Sequence, residues 1–129
     1  MIARADIIRW ALVVGAIAAL IGVMAGAFGA HGLRGTVTPR ALEVFQTGVT
    51  YQMYHAFALM IVALLGTAGL SRRLLTVSAL MFALGILLFS GSLYGLALLD
   101  IRALGPVTPL GGLCFMAGWV LLAVAGLKR

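Results

Sequence analysis

Polar side chains able to form hydrogen bonds or bind a ligand recur at a few places in an otherwise apolar sequence. The candidates for such a cluster are His31, Gln46, Thr47, Tyr51, Gln52, Tyr54, His55, Ser90, Ser92 and Tyr94. Tyr51 and His55 are four positions apart, so on a helix their side chains would be neighbours. Because burying an unpaired polar group costs roughly 2–7 kcal/mol, we expect these groups to face one another.

These residue types could belong to two kinds of reaction centre, a metal site or the active site of a hydrolase. A metal site could draw on His31, His55 and Glu43, but the sequence lacks the His-xxx-His or Glu-xx-His spacing that prepares such a site on one helix. A hydrolase needs a nucleophile beside a base and an orienting acid, and neither Ser90 nor Ser92 has an acid next to it in sequence. The approach of a histidine to a serine in the fold stays open. We expect no metal, no cofactor and no enzymatic activity.

Two interpretations of the polar cluster remain. In the first, the side chains form a hydrogen-bond network that fixes the register of packed helices. In the second, His31, Tyr51 and His55 line a shallow pocket for a lipid headgroup, a quinone or another small amphiphile.

The composition indicates the class of protein in which these polar side chains lie. Of the 129 residues, 64% are hydrophobic and 9% are charged, whereas a soluble domain carries about 25% charged residues. The mean hydropathy is +1.18, and a water-soluble fold is excluded. The nine basic residues are scattered in ones and twos at the edges of apolar runs, a pattern typical of membrane anchoring and not of nucleic-acid binding.

Four apolar runs without Asp, Glu, Lys or Arg cover about residues 10–30, 51–70, 74–98 and 110–127. Each approaches or exceeds the ~20 residues that a helix needs to cross a bilayer. The first run is longer than the hydrophobic part of a signal peptide, so we expect it to be retained as a span. The sequence predicts one all-α domain over residues 1–129, an integral membrane antiparallel four-helix bundle.

The connections carry their own signals. Thr38-Pro39 is typical of a helix start, and it predicts a short amphipathic interfacial helix between spans 1 and 2, with a bend at Gly48. Thr108-Pro109 predicts the start of span 4. The short turn at residues 70–73 makes spans 2 and 3 antiparallel neighbours.

Small residues on two spans indicate close helix contacts. On span 1 these include Gly15, Gly22, Gly26 and Gly29, which share one face, and on span 3 they are Gly91 and Gly95. Either face could pack inside the bundle or against another copy of the chain.

The basic residues also predict an orientation. One side of the membrane would hold six of them, Arg4, Arg9, Arg72, Arg73, Lys128 and Arg129, and the other would hold three, Arg34, Arg40 and Arg102. Because the side richer in Lys and Arg is cytoplasmic, we expect both termini in the cytoplasm, a multi-pass location in the inner cell membrane, and the polar cluster in the outer half of the bundle.

Four motifs in order resemble one known family. They are GAFGAHGL at 26–33, FQTGVTYQMYHA at 45–56, FSGSLY at 89–94 and GPVTPLGG at 105–112. The chain resembles the small four-span membrane proteins of domain of unknown function 423. The resemblance implies fold, membrane location and number of spans, and it supplies no catalytic residues.

We therefore expect a non-enzymatic protein that serves binding, membrane-complex assembly or envelope maintenance. The alternative is a carrier of a small neutral or amphiphilic solute or lipid. A proton-coupled carrier would need an ionisable carboxylate or lysine at mid-membrane, and the four apolar runs contain no Asp, Glu, Lys or Arg. The expected partners are the lipid bilayer, a bound lipid or small amphiphile, and another copy or a membrane-complex subunit, with no nucleic acid.

Overall fold

A computed structural model of the chain describes residues 2–128, with side chains from residue 9 onward. The helices are α1 (Ile2–His31), α2 (Pro39–Leu65), α3 (Arg72–Gly85), α4 (Gly91–Leu99) and α5 (Val107–Leu127). A π-helical segment, Ile86–Ser90, joins α3 to α4, and a short 3₁₀ turn, Arg102–Leu104, precedes α5. The described residues contain no strand, so the predicted all-α class is confirmed.

Four stretches are long and apolar enough to cross a membrane. They are Arg9–His31, Pro39–Leu65, Arg72–Leu99 and Arg102–Leu127, and we refer to them as spans 1 to 4. Span 1 packs chiefly on span 2, and span 4 packs chiefly on span 3. The connections at residues 32–38 and 100–106 define the loop end of the bundle, and the turn at 66–71 lies at the opposite, terminal end.

Span 2 begins where the sequence predicted a helix start. Thr38 caps α2 by accepting a hydrogen bond from the backbone N–H of Ala41 at 3.1 Å, and Pro39 is the first helical residue. The predicted division at Gly48 is wrong, because one helix runs from Pro39 to Leu65 through that residue. Gly48 is buried against the ring of Tyr94, so the amphipathic segment forms the first turns of α2 and is not a separate helix.

The small residues of span 1 face span 2. A Cβ added to Gly15 would lie 2.8 Å from the carbonyl oxygen of Ala56, and one added to Gly29 would lie 3.0 Å from the ring of Phe45. Gly22 lies against the side chain of Met53, and Gly26 has more room. This contact fixes the axial position of span 1 relative to span 2.

The two glycines of span 3 differ from each other. Gly95 lies against Leu104 of the following turn, whereas a Cβ on Gly91 would meet nothing within 4 Å. The expected close helix contact is therefore absent at Gly91 within the described chain, because the residue lines an open apolar groove between spans 1 and 3.

Spans 3 and 4 approach closely through another set of glycines. Gly85 lies against Phe115, Gly118 against Phe82, and Gly111 against the backbone of Phe89. Helix α5 begins at Val107, just before the start that Thr108-Pro109 predicted. Thr108 does not cap the helix, because its hydroxyl bonds to Ser92 instead.

Candidate functional site

A chain of side-chain hydrogen bonds joins three spans at mid-height. The phenol of Tyr94 on span 3 donates to Oε1 of Gln52 at 2.6 Å. Nε2 of Gln52 donates in turn to the carbonyl oxygen of Ala18 on span 1 at 2.8 Å. Gln52 is buried, so this chain pairs an amide that would otherwise be stranded among apolar side chains.

Serine hydroxyls make further contacts between spans. Ser90 Oγ donates to the carbonyl oxygen of Gly48 at 2.7 Å, and Ser92 Oγ lies 2.5 Å from the hydroxyl of Thr108. Nearer the terminal end, buried Ser78 donates to the carbonyl oxygen of Gly118 at 2.8 Å. Hydrogen bonds between spans are therefore not confined to the loop-end half of the bundle.

His55 connects span 2 to span 4. Its Nδ1 lies 2.7 Å from the carbonyl oxygen of Tyr51, and its Nε2 accepts a hydrogen bond from the indole N–H of Trp119 at 3.0 Å. Because a carbonyl oxygen can only accept, the network assigns the proton of the neutral imidazole to Nδ1. Both ring nitrogens are then occupied.

Aromatic rings surround this pair. The imidazole of His55 stacks on Phe115 with ring centroids 3.5 Å apart and an interplanar angle of 7°. Trp119 meets Phe82 edge to face at 4.7 Å between centroids. Tyr51 and Phe89 are 4.8 Å apart. The π-helical segment contributes Phe89, and a π-bulge in a helix is frequent at functional sites.

These rings form one side of a cleft of about 510 Å³ between spans 2, 3 and 4, which we call the aromatic cleft. Its walls include Tyr51, Tyr54, His55, Phe89, Phe115 and Trp119. Tyr51 and Tyr54 are 40% and 57% exposed. Among the described side chains, their hydroxyls form no hydrogen bond, whereas every buried side-chain nitrogen and oxygen is paired.

The structure brings most of the predicted cluster together in two groups. Gln52, Ser90, Ser92 and Tyr94 form the hydrogen bonds between spans, and Tyr51, Tyr54 and His55 line the aromatic cleft. Gln46 and Thr47 are exposed on the surface of α2, where Thr47 donates to the carbonyl oxygen of Glu43 at 3.0 Å.

The pocket expected from His31, Tyr51 and His55 is wrong in one member, because Tyr51 and His55 line the aromatic cleft whereas His31 lies outside it. His31 is exposed at the loop end of span 1, and Gly29 beside it packs on Phe45. His55 is ten residues further along α2 than Phe45, or about 15 Å at the helical rise. His55 lies near the middle of the bundle and not in its outer part.

The described residues offer few ligands to a metal ion. No group of three or more His, Cys, Asp or Glu side chains is placed to hold one. The lone pair of His55 Nε2 already accepts from Trp119. The geometry therefore favours a hydrogen-bonding role for this histidine.

Sequence reasoning missed four aromatic residues of the site, Phe82, Phe89, Phe115 and Trp119. A signal for two of them was present, because Phe115 and Trp119 repeat the i, i+4 spacing of Tyr51 and His55. The two pairs face each other only because spans 3 and 4 approach closely. The spacing of residues along the sequence does not predict that approach.

Four spanning helices whose polar groups bond inside the bundle define a multi-pass membrane protein. The chain belongs to the family described as "Protein of unknown function (DUF423)", which matches residues 25–112. It is similar to the UPF0382 membrane protein YwdK of Bacillus subtilis strain 168, with 49% identity over 119 residues, 91% of this chain and 95% of that protein. It is 44% identical to the UPF0382 membrane protein SAB0533 of Staphylococcus aureus strain bovine RF122 / ET3-1 over 118 residues, 91% of this chain and 94% of that protein. No solved structure matches the chain significantly.

Proposed function

We propose that this protein is a non-enzymatic binding protein of the membrane, which holds a flat, ring-bearing amphiphile in the aromatic cleft. The observation that carries the proposal is the contrast between paired and unpaired polar groups. The buried polar side chains bond within the chain, whereas Tyr51 and Tyr54, two exposed residues of the cleft lining, form no side-chain hydrogen bond among the described residues.

The shape and chemistry of the cleft select the ligand class. Aromatic rings prefer offset-stacked or edge-to-face contacts with other rings, worth about 0.5–1.5 kcal/mol beyond the buried area. The walls offer the exposed rings of Tyr51, Tyr54 and Trp119 to a flat ligand. The two tyrosine hydroxyls can donate to carbonyl or hydroxyl oxygens on the ring.

The cleft lies on the surface of the bundle, between apolar helix faces. Exposed apolar side chains such as Phe57 and Met116 surround it, and in a bilayer such faces contact lipid. A hydrophobic ligand would therefore enter from the bilayer.

The hydrogen bonds of the buried serines and of His55 support a non-enzymatic role. Ser78 and Ser90 donate to backbone carbonyls, and Ser92 pairs with Thr108. Nε2 of His55 accepts from an indole. A serine activated by a histidine base requires a hydrogen bond between the two, and the described side chains form none.

Fluorescence of Trp119 tests the proposal. The chain has two tryptophans, so Trp10→Phe leaves Trp119, in the cleft wall, as the single reporter. In detergent micelles, a short-chain benzoquinone should quench this fluorescence in a saturable way, and an aliphatic alcohol of similar hydrophobicity should not compete. Equal competition by the alcohol, or quenching that rises linearly without saturation, would contradict a ring-selective site.

A pair of variants locates the binding. In the same background, Tyr54→Ala should raise the Kd for the quinone about two- to tenfold, the loss expected for one aromatic contact. Met24→Ala is the matched control, because Met24 is similarly exposed but lies on span 1 outside the cleft. An equal effect of the two substitutions would place the quinone elsewhere.

A further inference from the structure

A second cleft lies at the loop end of the bundle, apart from the aromatic cleft. It has a volume of about 550 Å³ and is formed by the start of α2, the end of α4 and the start of α5. Its lining includes Thr38, Arg40, Val44, Leu93, Leu96 and Asp100. We call it the loop-end cleft.

The loop-end cleft changes from charged to apolar with depth. Arg40 is the second residue of α2, and Asp100 is the residue that ends α4, so both lie where a spanning helix meets the membrane surface. Val44 and Leu96 are each one turn further into the bundle, and Leu93, which also lines the cleft, is buried. This order matches an amphiphile with a polar head and an acyl chain.

The two charges of the cleft do not neutralise each other. Among the described side chains the one salt bridge joins Arg40 to Glu43 at 3.6 Å, with both side chains more than 70% exposed. An exposed pair of this kind holds its partners weakly, so Arg40 can turn to a ligand. Asp100 forms no salt bridge in the described part of the chain.

We propose that the loop-end cleft binds the headgroup of a zwitterionic phospholipid that carries a primary amine. The guanidinium of Arg40 binds the phosphate, for which its fork of N–H donors is suited, and the carboxylate of Asp100 binds the ammonium group. The hydroxyl of Thr38 is a further donor to the phosphate. The first part of an acyl chain lies on Val44 and Leu96.

Charge complementarity separates this ligand from an anionic lipid. A headgroup with a phosphate and no amine would also be attracted to Arg40. It would then lie in the same cleft as the carboxylate of Asp100, and like charges at close quarters disfavour binding. The pair of opposite charges therefore selects a headgroup that carries both.

Native mass spectrometry of the full chain in mixed micelles tests this selection. With equal amounts of phosphatidylethanolamine and phosphatidylglycerol, the wild-type protein should retain phosphatidylethanolamine preferentially. Asp100→Asn should lower the ratio of retained phosphatidylethanolamine to phosphatidylglycerol about tenfold, the effect of one charged hydrogen bond. Arg40→Gln should reduce retention of both lipids.

The substitutions are chosen so that unfolding does not imitate the result. Asp100 has a φ of 52°, and asparagine tolerates this left-handed region well. Because the like charge is removed, Asp100→Asn should also retain more phosphatidylglycerol than the wild-type protein, and loss of fold cannot produce such a gain. Arg34→Gln is the control. Arg34 is an exposed arginine in the connection after span 1, at the same end of the bundle as Arg40, and it lies outside the cleft lining. An unchanged lipid ratio in Asp100→Asn, or equal lipid loss in Arg34→Gln, would overturn the proposal.

Discussion

Trp119 on span 4 donates its indole N–H to Nε2 of His55 on span 2 at 3.0 Å. The same imidazole lies flat on Phe115, one turn earlier on span 4. Spans 2 and 4 both line the aromatic cleft, and these side chains bridge the two helices on that face of the bundle. Loss of the connection should change both stability and the shape of the cleft.

Substitution of His55 should show graded effects. Glutamine retains a donor and an acceptor, whereas leucine leaves the indole N–H of Trp119 without its partner. We expect His55→Leu to lower the free energy of unfolding by about 0.6–1.7 kcal/mol more than His55→Gln, the range for hydrogen bonds between membrane helices. Thermal unfolding in a fixed detergent measures the difference.

The same pair of variants separates hydrogen bonding from metal binding. Elemental analysis of the wild-type protein should find no stoichiometric zinc, iron or copper. Bound metal that disappears in both variants would contradict the assignment of His55 Nε2 as an acceptor for Trp119, since glutamine is a poor substitute for imidazole as a metal ligand.

Two neighbouring glycines of span 4 should respond in opposite ways to alanine. A Cβ on Gly111 would collide with the backbone of Phe89 in the π-helical segment, whereas one on Gly112 would lie 4.0 Å from the nearest atom. Because backbone atoms cannot turn aside, Gly111→Ala should cost about 1–3 kcal/mol. Gly112→Ala should be neutral or stabilising by up to about 1 kcal/mol through helix propensity.

Span 1 offers a second matched pair. The Cβ of alanine at position 15 would lie 2.8 Å from the carbonyl oxygen of Ala56, and at position 26 it would lie 3.4 Å from a methyl group of Val49. Gly15→Ala should therefore lower the melting temperature clearly, and Gly26→Ala should change it little. Equal tolerance of the two changes would mean that spans 1 and 2 are further apart in the bilayer than in this structure.

The sequence was sufficient for the four spans, the Thr38 cap and the antiparallel pairing of spans 2 and 3. Each of these features is local, because it follows from a run of apolar residues, one capping side chain or one short turn. The π-helical segment at Ile86–Ser90 was not predicted. It coincides with the close approach of Phe89 to Gly111 and the bond from Ser90 to Gly48, which are contacts between spans.

The misplacement of His31 has a single physical origin. Span 2 was expected to begin near residue 51, and α2 begins at Pro39. Its first turns pack beside the end of span 1, so His31 lies level with that segment and Tyr51 lies much deeper. Hydropathy underestimates such a helix, because Arg40, Glu43 and Gln46 are exposed on it while Phe45 is buried.

The orientation of the bundle can be measured with single cysteines. Cys114 is the one native cysteine, and Cys114→Ala removes the background. Thr36 at the loop end and Arg72 at the terminal end are both exposed. In intact cells, an impermeant thiol reagent should label Thr36→Cys, and it should label Arg72→Cys only after permeabilisation, because six basic residues are expected on the cytoplasmic side and three on the other. Reversed labelling would place the loop-end cleft in the cytoplasmic leaflet, where its lipid would have to be supplied from that side.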